Sequence, residues 1–184
     1  MSTSAPNGSA FLRRLIGAMS LRAETYEEVE ADQRANGQAL LVVASSSAAA
    51  GLGARGFGAG DVGDVVFFAV VALMAWVAWA FVVYEIGARI LPGARTRADV
   101  GQLLRTTGFA TAPGLIRVVG VVPGLTIPSF ALAAVWMLAA MIIAVRQALD
   151  YNSTPRAIAV CVLGWALAIT LATLFGVLFG PTVS

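Results

Sequence analysis

Residues Pro128–Val145 form eighteen positions without a charge, and the run stops abruptly in Arg146-Gln147-Ala148-Leu149-Asp150-Tyr151. At 1.5 Å rise per residue such a helix covers most of a ~30 Å hydrocarbon core. The runs on either side repeat the pattern. Only 12% of the 184 residues are charged and 59% are hydrophobic, whereas a soluble domain carries roughly a quarter charged residues. Lipid is therefore the expected main solvent. The expected fold is a single all-α integral membrane protein.

Five spans are predicted, at 38–52, 65–84, 106–122, 128–145 and 157–179. Span one is weak, because Ser45-Ser46-Ser47 and the small residues of Ala44–Gly51 suit close helix packing better than lipid contact. It is expected inside the bundle. Gly51–Gly63 follows as a glycine-rich, mobile loop. Span two carries Trp76 and Trp79 within its length, as packing residues, and Tyr84 at its edge. Pro92-Gly93 should stop it. Span three is short and interrupted by Pro113 and Arg117. Thr154-Pro155 supplies a start for span five and Gly180-Pro181 an end.

Residues 1–36 are read as a cytoplasmic segment. Met1–Ala10 is small and polar and is expected to be disordered; nothing in the first thirty residues has the apolar core of a cleavable leader. In Phe11–Met19, Phe11, Leu12, Leu15, Ile16 and Met19 share one arc at 100° per residue, with Arg13 and Arg14 outside it. This amphipathic helix either lies in the interface or packs on the cytoplasmic end of the bundle. Thr25-x-x-Glu28 has capping-box spacing for a second helix from Tyr26 to about Arg34, its acids forming a solvated face. Asn36-Gly37 should break the chain.

With five spans and the N-terminus inside, ten arginines face the cytoplasm and two, Arg55 and Arg117, face out. That split follows the positive-inside rule. It puts the C-terminus outside. All twelve basic residues are arginine, which reads as a GC-rich genome rather than as phosphate recognition. No long basic stripe points to nucleic acid.

Little in the chain suggests catalysis. Histidine is absent, and Cys161 is the single cysteine, inside an apolar run. No disulfide, cysteine zinc site, other metal site or cofactor is expected. Gly176-x-x-x-Gly180 and Gly164-x-x-x-Ala168 have close-packing spacing. Asn7-Gly8-Ser9 and Asn152-Ser153-Thr154 match a glycosylation pattern but face the cytoplasm in this topology.

Tyr26-Glu27-Glu28-Val29 ahead of Gln38-Ala39-Leu40, Gly108-Phe109-Ala110-Thr111-Ala112-Pro113, the stretch Ile127–Asp150 with Trp136, and Arg156-Ala157 resemble the Yip family of five-span membrane proteins, most closely its bacterial branch. The resemblance covers roughly residues 11–175. It implies a cytoplasmic N-terminus, five helices, no enzymatic activity and a bacterial inner membrane. Eukaryotic members of the family are implicated in vesicle traffic through Rab-type GTPases, but the Asp-Leu-x-Gly-Pro motif of those proteins is missing near the first span.

Two groups of ionisable residues stand out. Arg117 falls inside span three, roughly 8 Å from its outer end, where it should snorkel to the headgroups or pair structurally; a substrate or anion site is the alternative. Glu85, Arg89, Arg105, Arg146 and Asp150 collect at the inner face, where an ion-pair cluster is expected with Glu85 or Asp150 against Arg146. The leading function is non-enzymatic association with other membrane proteins, or with further copies of the chain, in the bilayer. The alternative is a small-molecule or ion transporter or channel with a site near Pro113–Arg117.

Overall fold

The computed structural model describes residues 8–55, 62–93, 96 and 98–179. Met1–Asn7, residues 56–61 of the expected Gly51–Gly63 loop, Arg95, Arg97 and the Gly180-Pro181 stop lie outside the described residues, as does Gly180 of the close-packing motif; residues 51–54 and 62–63, expected in that loop, belong to helices instead. Among the described residues every regular element is helical. The elements are α1 (Gly8–Met19), α2 (Ala23–Ala31), α3 (Ala35–Ala54), α4 (Val62–Tyr84), α5 (Val100–Phe109), α6 (Thr126–Ala148) and α7 (Thr154–Phe179). A π-helical turn, Glu85–Ile90, prolongs α4, and a 3-10 helix, Ala112–Val121, follows α5.

Three described helices are long and apolar enough to cross a membrane: Ala35–Ala54, Leu73–Ile90 and Thr126–Ala148. In α7 the apolar stretch Thr154–Leu167 is shorter. Residues 106–122 are not one helix. The α-helix ends at Phe109, and Pro113, without an N–H, sits in the first turn of the 3-10 helix that replaces it.

Several helix limits differ from the sequence reading. α2 begins at Ala23, so Thr25 is internal and buried, and Arg22, at the cap, makes no side-chain cap bond. The Thr25-Glu28 box does not form because Glu28 is taken by arginines of α1. A capping box does open α5: the Asp99 carboxylate accepts from Gln102 N–H at 2.9 Å, and Gln102 Oε1 accepts from Asp99 N–H at 2.7 Å. Asn36-Gly37 breaks nothing. The turn comes earlier, at Asp32, and α3 runs straight through both residues.

Successive long elements run in alternating directions. Asn36 at the start of α3 lies beside Arg105 of α5, while Gly53 at its end lies beside Arg117 and Phe130. The end of α4 meets the end of α6 through Tyr151 and Gly87. One core joins Tyr26 and Val29 of α2 to Ala39, Val42, Phe109 and Ala144; a second joins Val83, Leu103, Val145, Leu149 and Val160. Met141 packs on both. Alanine recurs at these contacts, which lets helix backbones approach closely where no water drives association.

α1 and α2 share the first core with the membrane-type helices. Trp136, near the middle of α6, donates its indole N–H to the Met19 carbonyl at 2.7 Å, and Gln147 at the end of α6 bonds Glu27. The α1–α2 hairpin therefore lies along the C-terminal half of α6. Its tip is Leu21, in the left-handed region at φ 58°. Leu21 N–H and Arg22 N–H bond the Ala18 and Gly17 carbonyls, a Schellman closure of α1.

Candidate functional site

A 3-10 helix has three residues per turn, so side chains three apart eclipse one another. In Ala112–Val121 this lines Gly114, Arg117 and Gly120 along one face. The two glycines are where that face touches α3 and α6. A Cβ on Gly114 would overlap Ser46 Oγ and crowd Arg117 Nη2 and Met137 Sδ, and one on Gly120 would press on Gly53 and Ser129. Gly53 answers from α3, where any Cβ would run into the Arg117 carbonyl. The missing side chains bring the Arg117 backbone against both neighbours.

Arg117 does not snorkel outward. Its guanidinium lies over the Phe130 ring at 5.9 Å, and Nη2 points at Met137 Sδ at 2.6 Å. Met137 is the midpoint of α6, eleven residues from Thr126 and eleven from Ala148. A thioether is a weak acceptor and a ring face a weak counter-charge. Among the described residues no carboxylate lies within 4.0 Å of Arg117. Beside it is a cavity of about 280 Å³ whose other walls are Phe130, Ala134, Met137, Leu138, Met141 and Trp165.

The inner charged residues do not form a single ion-pair cluster. Glu85 pairs with Arg89 at 3.0 Å within the π-helical turn, in an exposed position, and Arg89 also lies over the Tyr84 ring. Arg146 has neither Glu85 nor Asp150 within 4.0 Å; its Nε donates to the Tyr151 carbonyl at 3.4 Å. The reason is local. Asp150 takes φ 50°, so it turns the chain off the end of α6 instead of continuing to the i+4 position. Asp150 and Tyr151 N–H groups bond the Gln147 and Arg146 carbonyls.

Arg105, expected in the same cluster, turns to backbone carbonyls and an amide instead. It is 5% exposed and donates to the Val29 and Glu30 carbonyls and to Asn36 Oδ1. A cation thus sits on the unpaired carbonyls and negative dipole end of α2. Glu30 is half-buried beside it. Burial first, then the charge of Asp150, pushes the Glu30 carboxyl up to about 7 against the opposing pull of Arg105. Nearby, Tyr151 Oη lies 2.8 Å from the Gly87 carbonyl and 2.7 Å from that of Leu91, tying α6 to the π-helical turn. Thr96 Oγ1 accepts from Gly93 N–H and donates to the Leu149 carbonyl.

Sequence reasoning missed Arg14. It is 8% exposed and reaches Glu28 at 2.9 Å, Asp32 at 2.8 Å and Gln38 at 3.0 Å, joining α1, α2 and α3. Hydrogen bonds from Arg14 hold the Asp32 carboxyl below its usual range; for Glu28, burial works upward but Arg14 and Arg13 outweigh it. The signal was present. Glu28 and Asp32 stand four apart on one helix face, opposite an arginine that lies off the apolar arc of α1.

Trp76 and Trp79 pack as expected. Trp76 donates to Thr107 Oγ1 at 3.2 Å, and Trp79 lies on Gly164 and edge-to-face with Trp165 at 6.3 Å. The family model of the Yip1 domain matches residues 16–175. No curated protein and no solved structure matches the chain.

Proposed function

The chain belongs to the Yip1-domain family, and from that premise we propose that it is a non-enzymatic membrane protein acting by helix-mediated association with other membrane proteins or with further copies of itself. The observation that carries this reading is a seam on α4. Val70, Met74, Val77 and Phe81 are all exposed. Their spacing of four, three and four residues is that of knobs meeting a partner helix. A cysteine placed at Met74 or Val77, with Cys161→Ser as background, should give cross-linked adducts in native membranes. A cysteine at Val135, on the exposed face of α6, should give far fewer. Equal cross-linking at all three positions would sink the association reading.

The transporter reading calls for a polar path to Arg117. Apart from the Arg117 guanidinium, the side chains that line the cavity there are apolar or aromatic and offer no polar path across the bundle, which favours association.

We further propose five membrane spans with the N-terminus cytoplasmic and the C-terminus outside, in a bacterial inner membrane. The alternating directions support this, as does the grouping of Arg14, Arg89, Arg105 and Arg146 at one end of the bundle. α1 turns Phe11, Leu15 and Met19 to the core while Leu12 and Ile16 stay exposed at 54% and 55%, which supports contact with the bilayer as well as with the bundle.

A further inference from the structure

Arg117 presents an unusual combination: a cation at the level of the α6 midpoint, no carboxylate within 4.0 Å among the described residues, and a cavity beside it. A charge inside a membrane is costly unless something meets it. Among the described residues, what meets it is one thioether and one ring face. The site can therefore accept one anionic group. It is too apolar for a hydrated ion, which would need polar neighbours for its waters.

The cavity opens between α6 and α7, where Leu138 and Trp165 are 46% and 56% exposed. At about 280 Å³ it is near the lower end of small-ligand sites, ~300 Å³. A ligand reaching it from the side must dissolve in hydrocarbon. Depth then decides between two sources of anion. A phospholipid phosphate would have to descend about 16 Å from either end of α6 while charged. A fatty acid can enter neutral, and a nearby cation favours its ionised form once there.

We propose that this cavity binds a monoanionic amphiphile of the fatty-acid class, with the carboxylate on Arg117 and the chain along Met137, Met141 and Trp165 toward the lipid. The inference needs α6 to lie in the bilayer but not the α4 seam, so a negative cross-linking result on α4 leaves it standing.

The test uses the full chain in phosphatidylcholine nanodiscs with a diazirine-bearing palmitate, the site of labelling read by mass spectrometry. Labelling should saturate, fall on Phe130–Met141 or the peptide containing Trp165, and be competed by palmitate. The methyl ester of the probe should bind about tenfold more weakly, the worth of a charge-assisted hydrogen bond. Arg117→Gln should abolish the preference for acid over ester, and Arg117→Lys should keep it. Because a change at Arg117 can disturb packing, Ala134→Phe provides a second variant. It fills the cavity, leaves the arginine in place and should block labelling without lowering the melting temperature. Equal labelling by acid and ester, indifference to Arg117→Gln, or labelling unaffected by Ala134→Phe would overturn the proposal. Competition by phosphatidylglycerol as strong as by palmitate would also overturn it, assigning the site to a lipid phosphate.

Discussion

Glu30 gives the inner face a pH dependence with a definite sign. Its folded-state pKa, raised to about 7 from 4.5, means that the native state holds this proton more tightly than the unfolded chain does. Stability linked to Glu30 is therefore present below about pH 4.5 and is lost as pH rises to about 7. Glu28 and Asp32 act oppositely: with depressed pKa values they stabilise above the ordinary carboxylate range and lose that contribution as pH falls. Thermal melting of the detergent-solubilised protein should thus show a decline between pH 5 and 7 that Glu30→Gln flattens, roughly the window of a carboxyl titrating above its normal value. A wild-type slope that survives Glu30→Gln would show that the carboxyl titrates normally. Arg105 was legible as a charge at the inner membrane face, from its place just before span three. Its actual role, on the last carbonyls of α2, was not, because that pairing is 75 residues long in sequence and leaves no local pattern.

At the scale of elements, periodicity located the helices but not the direction in which each face points. The apolar arc of α1 was visible in Phe11–Met19, yet the structure divides it between core and surface. A Leu12→Glu, Ile16→Glu double change should therefore weaken binding of a Met1–Arg34 peptide to anionic vesicles, while the full-length double variant keeps its melting temperature within a few degrees. Leu15→Glu should instead destabilise the full chain, because Leu15 packs on the buried core. If the Leu12, Ile16 variant melts as low as the Leu15 variant, the outward face of α1 is also a packing face. Span three shows the other limit. Pro113 and Arg117 signalled an interruption, but nothing in an α-helical wheel puts Gly114, Arg117 and Gly120 on one line. That requires the three-residue turn the backbone adopts.

For the whole molecule, direction of traverse is the quantity that ties arginine placement to the membrane. A reporter active only outside the cytoplasm should work when fused after Ser184 and fail when fused after Asp99. The reverse pattern, or activity at both, would refute five spans with an inside N-terminus. The α1–α2 hairpin makes the fold less layered than a cytoplasmic segment followed by a membrane domain. Tyr26 and Val29 are fully buried with Ala39 and Phe109, so residues before 36 complete the core of those after it.

The sequence by itself determined the solvent, the helical class and the family, because hydropathy and charge placement are properties of single segments and survive without coordinates. It also located the interruption at Pro113 and the exceptional charge at Arg117, since a missing N–H and a cation in an apolar run are local facts. Only the tertiary structure decided which way Arg117 reaches, which carboxylates Arg14 collects, and that Arg146 turns to a backbone carbonyl. Those outcomes depend on helices brought together from distant parts of the chain. A buried charge is satisfied by whatever the packing places within hydrogen-bond reach, and no local pattern encodes that neighbour.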